Sequence, residues 1–272
     1  MTRRGRIVGL TILVVIAALA LLFPAHTPGL RGWVVSRNLL KQIELPDPGA
    51  RQRAAWSAIQ YPSDTLENAM TRGLFGHEPD ANVREAYAYA LGMIGDPRNI
   101  AALEHVVDND PSGLVRCSAW LAAARVDPEH MLTLATTHIE TQDSWDRLGI
   151  AQARLSLGDA QDLPVLLVQA HSRDESRRYV ACRALQKWLM PALDAIGRWP
   201  LEYQPAKELP WPTEWIDEIE RRCASENVEQ LVADTHQRMR EAEQVRRDIA
   251  RINGARRELI QLLIGPTTPE DR

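Results

Sequence analysis

The residues whose types could do chemistry are few and scattered. Asp108-Asn109-Asp110-Pro111-Ser112-Gly113 opens like a calcium loop, with oxygen ligands at alternate positions and glycine sixth. Its twelfth position is Ala119, where a bidentate glutamate is needed, and Pro111 stiffens the turn. A turn carrying a helix cap accounts for the stretch better than a cation does. His130, His138 and His171 form no H-x-x-x-H pair and do not fall beside a cysteine at ligand spacing. Cys117, Cys182 and Cys223 are an odd set without CxxC, and read as small buried apolar residues. No Ser/His/Asp nucleophile motif, phosphate loop or dinucleotide fingerprint appears. These patterns indicate no catalytic residue, no metal site and no cofactor, so the expectation is a protein that is not an enzyme.

One polar pattern is regular. Arg84, Arg116, Arg147 and Arg178 recur with Asp80, Asp110, Asp143 and Asp174 shortly upstream. Such a row either binds anions or forms a ladder tying each loop to its neighbour, and its periodicity favours the ladder. The elements that position it show best at Ala81 to Pro97. Val83, Ala86, Ala90 and Leu91 form one apolar stripe at helical period. Gly95 suits a left-handed helix end, and Asp96 and Pro97 suit the N-cap and first position of a second helix. Ile100, Leu103 and Val107 give that helix its own stripe.

Two short helices cannot bury both stripes alone, so they must stack on copies of themselves. Val83-Arg84 recurs as Val115-Arg116, Asp146-Arg147 and Arg177-Arg178, with a weaker version at Arg51-Gln52, at a spacing of 31 or 32 residues. Asp64, Asp96, Asp127 and Asp159 keep the same beat, as do the small residues Ala58, Ala90, Ala122, Ala153 and Ala184. The units Val83-Arg84-x-Ala86-x-x-x-Ala90-Leu91-Gly92-x-Ile94-Gly95-Asp96-Pro97 and Val115-Arg116-x-Ser118-x-x-x-Ala122-Ala123 resemble HEAT repeats, in particular the short bacterial variety related to phycobilisome-lyase repeats. The fourth unit keeps Leu157-Gly158-Asp159 but departs from the pattern at Asp146. The resemblance covers about residues 47–190 and implies an all-α solenoid of about five helical pairs. It also implies that second helices line a concave binding face. Aligning units on the aspartates makes Glu67, Asn99, Ala102, His105, His130, Thr133 and Asp162 the candidate partner-binding residues, a mixed polar and apolar set suited to a protein or peptide.

Composition narrows the partners. Net charge is −4 with pI near 6.0, so no basic excess recommends nucleic acid. Aromatic content of 6% with two Phe suits close-packed helices over a sheet. Residues 1–25 read as a signal anchor: Arg3, Arg4 and Arg6 precede an apolar run from Ile7 to Phe23. Ala18-Leu19-Ala20 offers a cleavage site, but the apolar run continues past it, which favours an uncleaved transmembrane helix. The flanking cations place the rest outside a bacterial-type inner membrane, on the periplasmic face, although unpaired thiols lean the other way.

Residues 26–46 then form a juxtamembrane linker with a few helical turns, and 47–190 the repeats. A Pro- and Trp-rich connector, 191–212, reads as a lid over the solenoid's end. Residues 213–264 are helical, and 265–272 a polar tail. From Val228 to Leu263 the apolar spacing is heptad-like, which fits either a helix lying on the repeats or a homodimeric coiled coil. The expected function is a membrane-anchored scaffold or adaptor holding a protein partner non-covalently. The alternative is a chaperone-like or bilin-lyase-like subunit binding a small acidic ligand, which a cavity with convergent polar groups would favour over an open groove.

Overall fold

The structure, a computed structural model, describes residues 28–138, 143–194, 211–225, 227–242 and 245. Among these residues there are helices and no strands. The chain begins with α1 (Pro28–Ile43) and then runs through helical pairs. First helices are α2 (Pro48–Ala58), α4 (Ala81–Ile94), α6 (Gly113–Val126), α8 (Ser144–Leu157) and α10 (Glu175–Ala184). Second helices are α3 (Asp64–Arg72), α5 (Ile100–Asn109), α7 (Pro128–Thr137) and α9 (Leu163–Ala170). A widened turn (Leu185–Leu189) carries α10 into α11 (Met190–Asp194), and α12 (Thr213–Ser225) follows.

Local chemistry fixes where each helix starts. The carboxylates of Asp47, Asp80, Asp143 and Asp174 accept hydrogen bonds from the free amides that open α2, α4, α8 and α10. Asp127 does the same for α7, and Asp96 caps a short tight turn (Pro97–Asn99) that leads into α5. The aspartate beat is less uniform than the spacing suggests. Asp64 lies inside α3, whose cap is Ser63, and Asp159 instead accepts from the Gln161 amide. Gly95 ends α4 with φ of 75°, a left-handed conformation that costs a residue with a Cβ.

Successive first helices stack directly on one another, α2 on α4, α4 on α6, α6 on α8 and α8 on α10. Ala58, Ala90, Ala122, Ala153 and Ala184 are all buried in this stack, as the periodic small residues require. Between the two layers the second helices insert Leu66, Met70, Leu103, Met131 and Leu166, none of them exposed. Burying a large aliphatic side chain contributes roughly 1.5–3 kcal/mol, so the layers hold by many such insertions between neighbours.

The repeat core reaches beyond residues 47–190 at both ends. The stretch read as a juxtamembrane linker forms α1, which packs on α2 and α3 and buries Leu39 and Ile43. Its apolar stripe is covered by the first repeat, which is why it folds as a full helix. At the far end Trp211, near the close of the connector, is buried with Trp188, Leu189 and Leu193; residues 195–210 lie outside the described residues. Trp199 and Tyr203 lie outside the described residues. Ile216 and Ile219 bring α12 onto α9. Residues 228–242 are helical and bury Val228, Val232, Thr235 and His236, while Arg240 donates to the Leu157 carbonyl at 3.2 Å. The apolar stripe that a coiled coil would need is, over 228–242, laid on the repeats. Residues 246–263 lie outside the described residues, as does the apolar run 7–23. No helix of the described residues is long and apolar enough to cross a membrane.

Candidate functional site

The recurring arginines are structural. Arg51 forks onto Glu78 (2.7 and 2.9 Å), Arg84 onto Asp110 (2.7 and 3.0 Å), and Arg116 reaches Asp146 (2.8 Å) and Asp143 (2.7 Å). Each thus joins its own first helix to the loop or helix that opens the next unit. Each also donates to a carbonyl in the loop before its own helix: Arg51 to Leu45 and Pro46, Arg84 to Glu78 and Pro79, Arg116 to Asp110. The departure at Asp146 has a reason, since this carboxylate receives Arg116 where the two preceding units carry Val83 and Val115. Arg147 points to solvent, and in the last unit Arg177 takes over, reaching Asp174 and the Ser144 hydroxyl. Asp110, in the stretch resembling a calcium loop, has both oxygens engaged by Arg84 and the Ser112 amide, so it works as a turn and ladder residue.

The expected second-helix row does not come together as one surface. Glu67, Asn99 and Ala102 are buried, and the Asn99 amide donates to Glu67 at 2.9 Å. Asp162 pairs with Arg154 at 3.0 Å, and His130 faces Glu104 at 3.4 Å. His105 packs on Phe75, while Thr133 is exposed with its hydroxyl turned back to the Glu129 carbonyl. The reason lies in the curvature. A cavity of about 500 Å³ is lined by residues of α2, α4, α6, α8 and α10 together. Five consecutive first helices reach one cavity only if they, and not the second helices, stand on the inside of the bend.

This cavity is the candidate site. Trp56 and Tyr89 line it as a pair, their rings 4.7 Å apart, and Tyr179 and Trp188 also line it. Leu114, Leu121 and Val180 supply apolar floor. Glu85 accepts from the Ser118 hydroxyl at 2.9 Å, and burial raises its pKa despite that bond and the nearby Arg183. The buried Gln152 donates to the Cys117 carbonyl at 2.8 Å. Three cations face the same space: Arg125, Arg183 and Lys187. Arg125 lies over the Tyr89 ring at 5.1 Å, and its Nη1 is buried with no hydrogen-bond partner among the described residues. Lys187 Nζ sits over Trp188 at 4.8 Å. Desolvation, then Arg125 and Arg183, push the Lys187 ammonium down to about 8. Burial and Arg183 likewise lower Arg125, opposed by Tyr89. Arg51, Arg84 and Arg116 hold carboxylates within 2.8 Å, while none of these three cations has an ion pair among the described residues.

Sequence reasoning missed the cavity, although a signal was present. Tyr89, Leu121, Gln152 and Arg183 occupy equivalent places in four units, six residues after the respective markers at 83, 115, 146 and 177. A row that changes from aromatic to apolar to polar to cationic is not a core row.

Elsewhere His171, Asp217 and Glu220 bring three potential ligand atoms within 4.8 Å. His171 lies 3.3 Å from Glu220 and 3.7 Å from Asp217, an exposed cluster that serves to dock α12 on the end of α9. The three cysteines are free. Burial raises the thiol pKa of all three, Cys223 to about 11, as the reading of small apolar residues requires. Ellman's reagent at pH 8 is therefore expected to react with the native protein far more slowly than with the urea-unfolded chain. Fast native labelling of Cys117 would contradict its packing.

The described residues form an α-solenoid whose first helices curve around a cation-bearing cavity. Residues 36–124 match the family model for HEAT repeats, so this part of the chain is built of such helical repeats. No curated protein matches the sequence.

Proposed function

We propose that this protein is a scaffold that seats an anionic segment of a partner protein, without covalent chemistry, in the cavity of its first helices. The observation that supports this most is the trio Arg125, Arg183 and Lys187, held against aromatic rings with no carboxylate within ion-pair distance among the described residues. Keeping three like charges together in one partly desolvated space is unfavourable in the free protein, and an incoming anion relieves it. The same trio favours, as a second reading, a small acidic ligand. The proposal keeps the membrane anchor at residues 7–23, with the repeats on the periplasmic side of a bacterial-type inner membrane. It does not need a dimer through residues 228–263, because part of that stretch already covers the repeats.

A photo-crosslinking residue at Ser176, on the cavity rim, is expected to trap a discrete partner in the cells that make this protein. The control is the same residue at Thr133, on the outer layer. Cross-links from Thr133 alone, or from neither position, overturn the proposal. The charge argument also sets a pH dependence. The Lys187 ammonium is protonated below about 8 and neutral above, so anion binding is expected to weaken as pH rises through that value. Because this pKa lies below the ordinary 10.5, the unfolded chain holds the proton more tightly. The free protein therefore gains stability as pH rises from 8 towards 10.5. Titration of an acidic peptide at pH 6.5 and pH 9, at constant ionic strength, checks the first effect, and thermal melts check the second.

A further inference from the structure

We propose that the occupant of the cavity is the C-terminal carboxylate of a partner chain whose last residue is apolar or aromatic. This rests on the reading of the cavity as a partner seat and narrows its chemistry.

Charge selects a monoanion. Arg125, Arg183 and Lys187 face Glu85 and Glu175 across the lining, which leaves a single unmatched positive charge. One carboxylate neutralises it. A phosphate at neutral pH carries −1.5 to −2, so it would overshoot and leave an oxygen facing Glu85 or Glu175. Guanidinium groups are suited to a carboxylate because two parallel N–H donors match its two oxygens, and the Arg125 Nη1 is a buried donor with nothing to donate to.

The apolar lining selects what carries the carboxylate. Leu114, Leu121 and Val180 stand beside the cations, so the acid must arrive on a group that gains by leaving water. A terminal residue brings both parts at once, side chain and carboxylate on one carbon. An internal aspartate would oblige the chain to enter and leave, and a space of about 500 Å³ takes a chain end more readily than a chain passing through. Exposure argues for a chain over a free acid. Trp56 and Tyr179 line the cavity yet are 38% and 41% exposed, so the binding surface continues past what a small molecule would cover.

Fluorescence anisotropy of the labelled peptide Gly-Ser-Gly-Ser-Leu-Phe tests this, comparing the free acid with the C-terminal amide. The free acid is expected to bind at least about tenfold more tightly, the value of one charge-assisted hydrogen-bonded pair. Arg125→Gln with Arg183→Gln is expected to remove that preference while leaving amide binding unchanged. Because Arg125 also packs on Tyr89, Glu175→Gln provides an independent arm. Glu175 is exposed at the rim, and its loss should tighten the free acid and not the amide. Equal binding of acid and amide, or no saturable binding of either into the millimolar range, overturns the assignment. So does competition by 3-phenylpropionate as strong as that of the unlabelled peptide, which would make a free organic acid the occupant. A partner cross-linked at Ser176 whose capture ignores the acid-to-amide change keeps the seat and removes only the carboxylate.

Discussion

Replacing Arg84 by methionine is expected to lower stability by about 3–5 kcal/mol, because it leaves a buried carboxylate without its counter-charge. The Arg84 and Asp110 side chains are only 10% and 4% exposed, joined by bonds of 2.7 and 3.0 Å. The same guanidinium also donates to the carbonyls of Glu78 and Pro79. In a domain of this size the loss corresponds to a fall of roughly 6–20 °C in Tm. The comparison that gives the number meaning is Arg98, which pairs with Asp64 at 2.8 Å but with both side chains about 70% exposed. Cutting that pair with Asp64→Ala should cost less than about 1 kcal/mol, since water competes for both charges. Combining Arg84→Met with Asp110→Leu should recover much of the loss, because no charge is then left stranded. Urea unfolding followed by circular dichroism measures all four proteins. Similar losses for the Arg84 and Asp64 variants would remove the ladder as a source of stability.

The second large effect belongs to Trp120, fully buried between the third and fourth units. Its ring meets His138 edge-on at 5.3 Å, and its other side lies on Gly149, where a Cβ would come within 2.6 Å of Trp120 Cδ1 and 3.0 Å of Cys117 Cα. Trp120→Ala should cost roughly 3–5 kcal/mol as the cavity left behind cannot collapse fully between rigid helices. Gly149→Ala should cost about 1–3 kcal/mol for the opposite reason, since α6 and α8 must move apart to admit a methyl group. The two changes meet in one space, so together they should cost less than the sum of the separate losses. Additive losses would show that Gly149 is sensitive to its own helix and not to the tryptophan against it. In a repeat stack each unit leans on its neighbours, so Trp120→Ala is also expected to broaden the transition, letting the two ends unfold apart.

Much of this architecture can be read from local chemistry. Asp80 before Asn82 and Val83, Asp143 before Trp145, and Asp174 before Ser176 act on amides two and three residues away, within one turn of chain. The ladder is legible in part: Arg84 and Arg116 repeat with the unit and act as its rungs, whereas Arg147 points to solvent and Arg177 takes the place expected of Arg178. Legibility fails where contact depends on the path of the whole stack. Glu67 and Asn99 look like surface residues by type, yet they meet at 2.9 Å in a buried pair between successive second helices. The linker before residue 47 looked peripheral, yet Leu39 and Ile43 belong to the core.

What the sequence alone determined is the repeat itself: its period, its caps, its small residues at close approach, and the arginines that tie one unit to the next. These follow from interactions within one unit or between adjacent units, and a period of 31 or 32 residues records them. Only the tertiary structure decided which layer lies inside the curve, and with it that Trp56, Tyr89, Arg125, Arg183 and Lys187 share one cavity. Curvature accumulates from small rotations at every junction, so residues more than a hundred positions apart come together by the sum of packing angles that no single motif encodes.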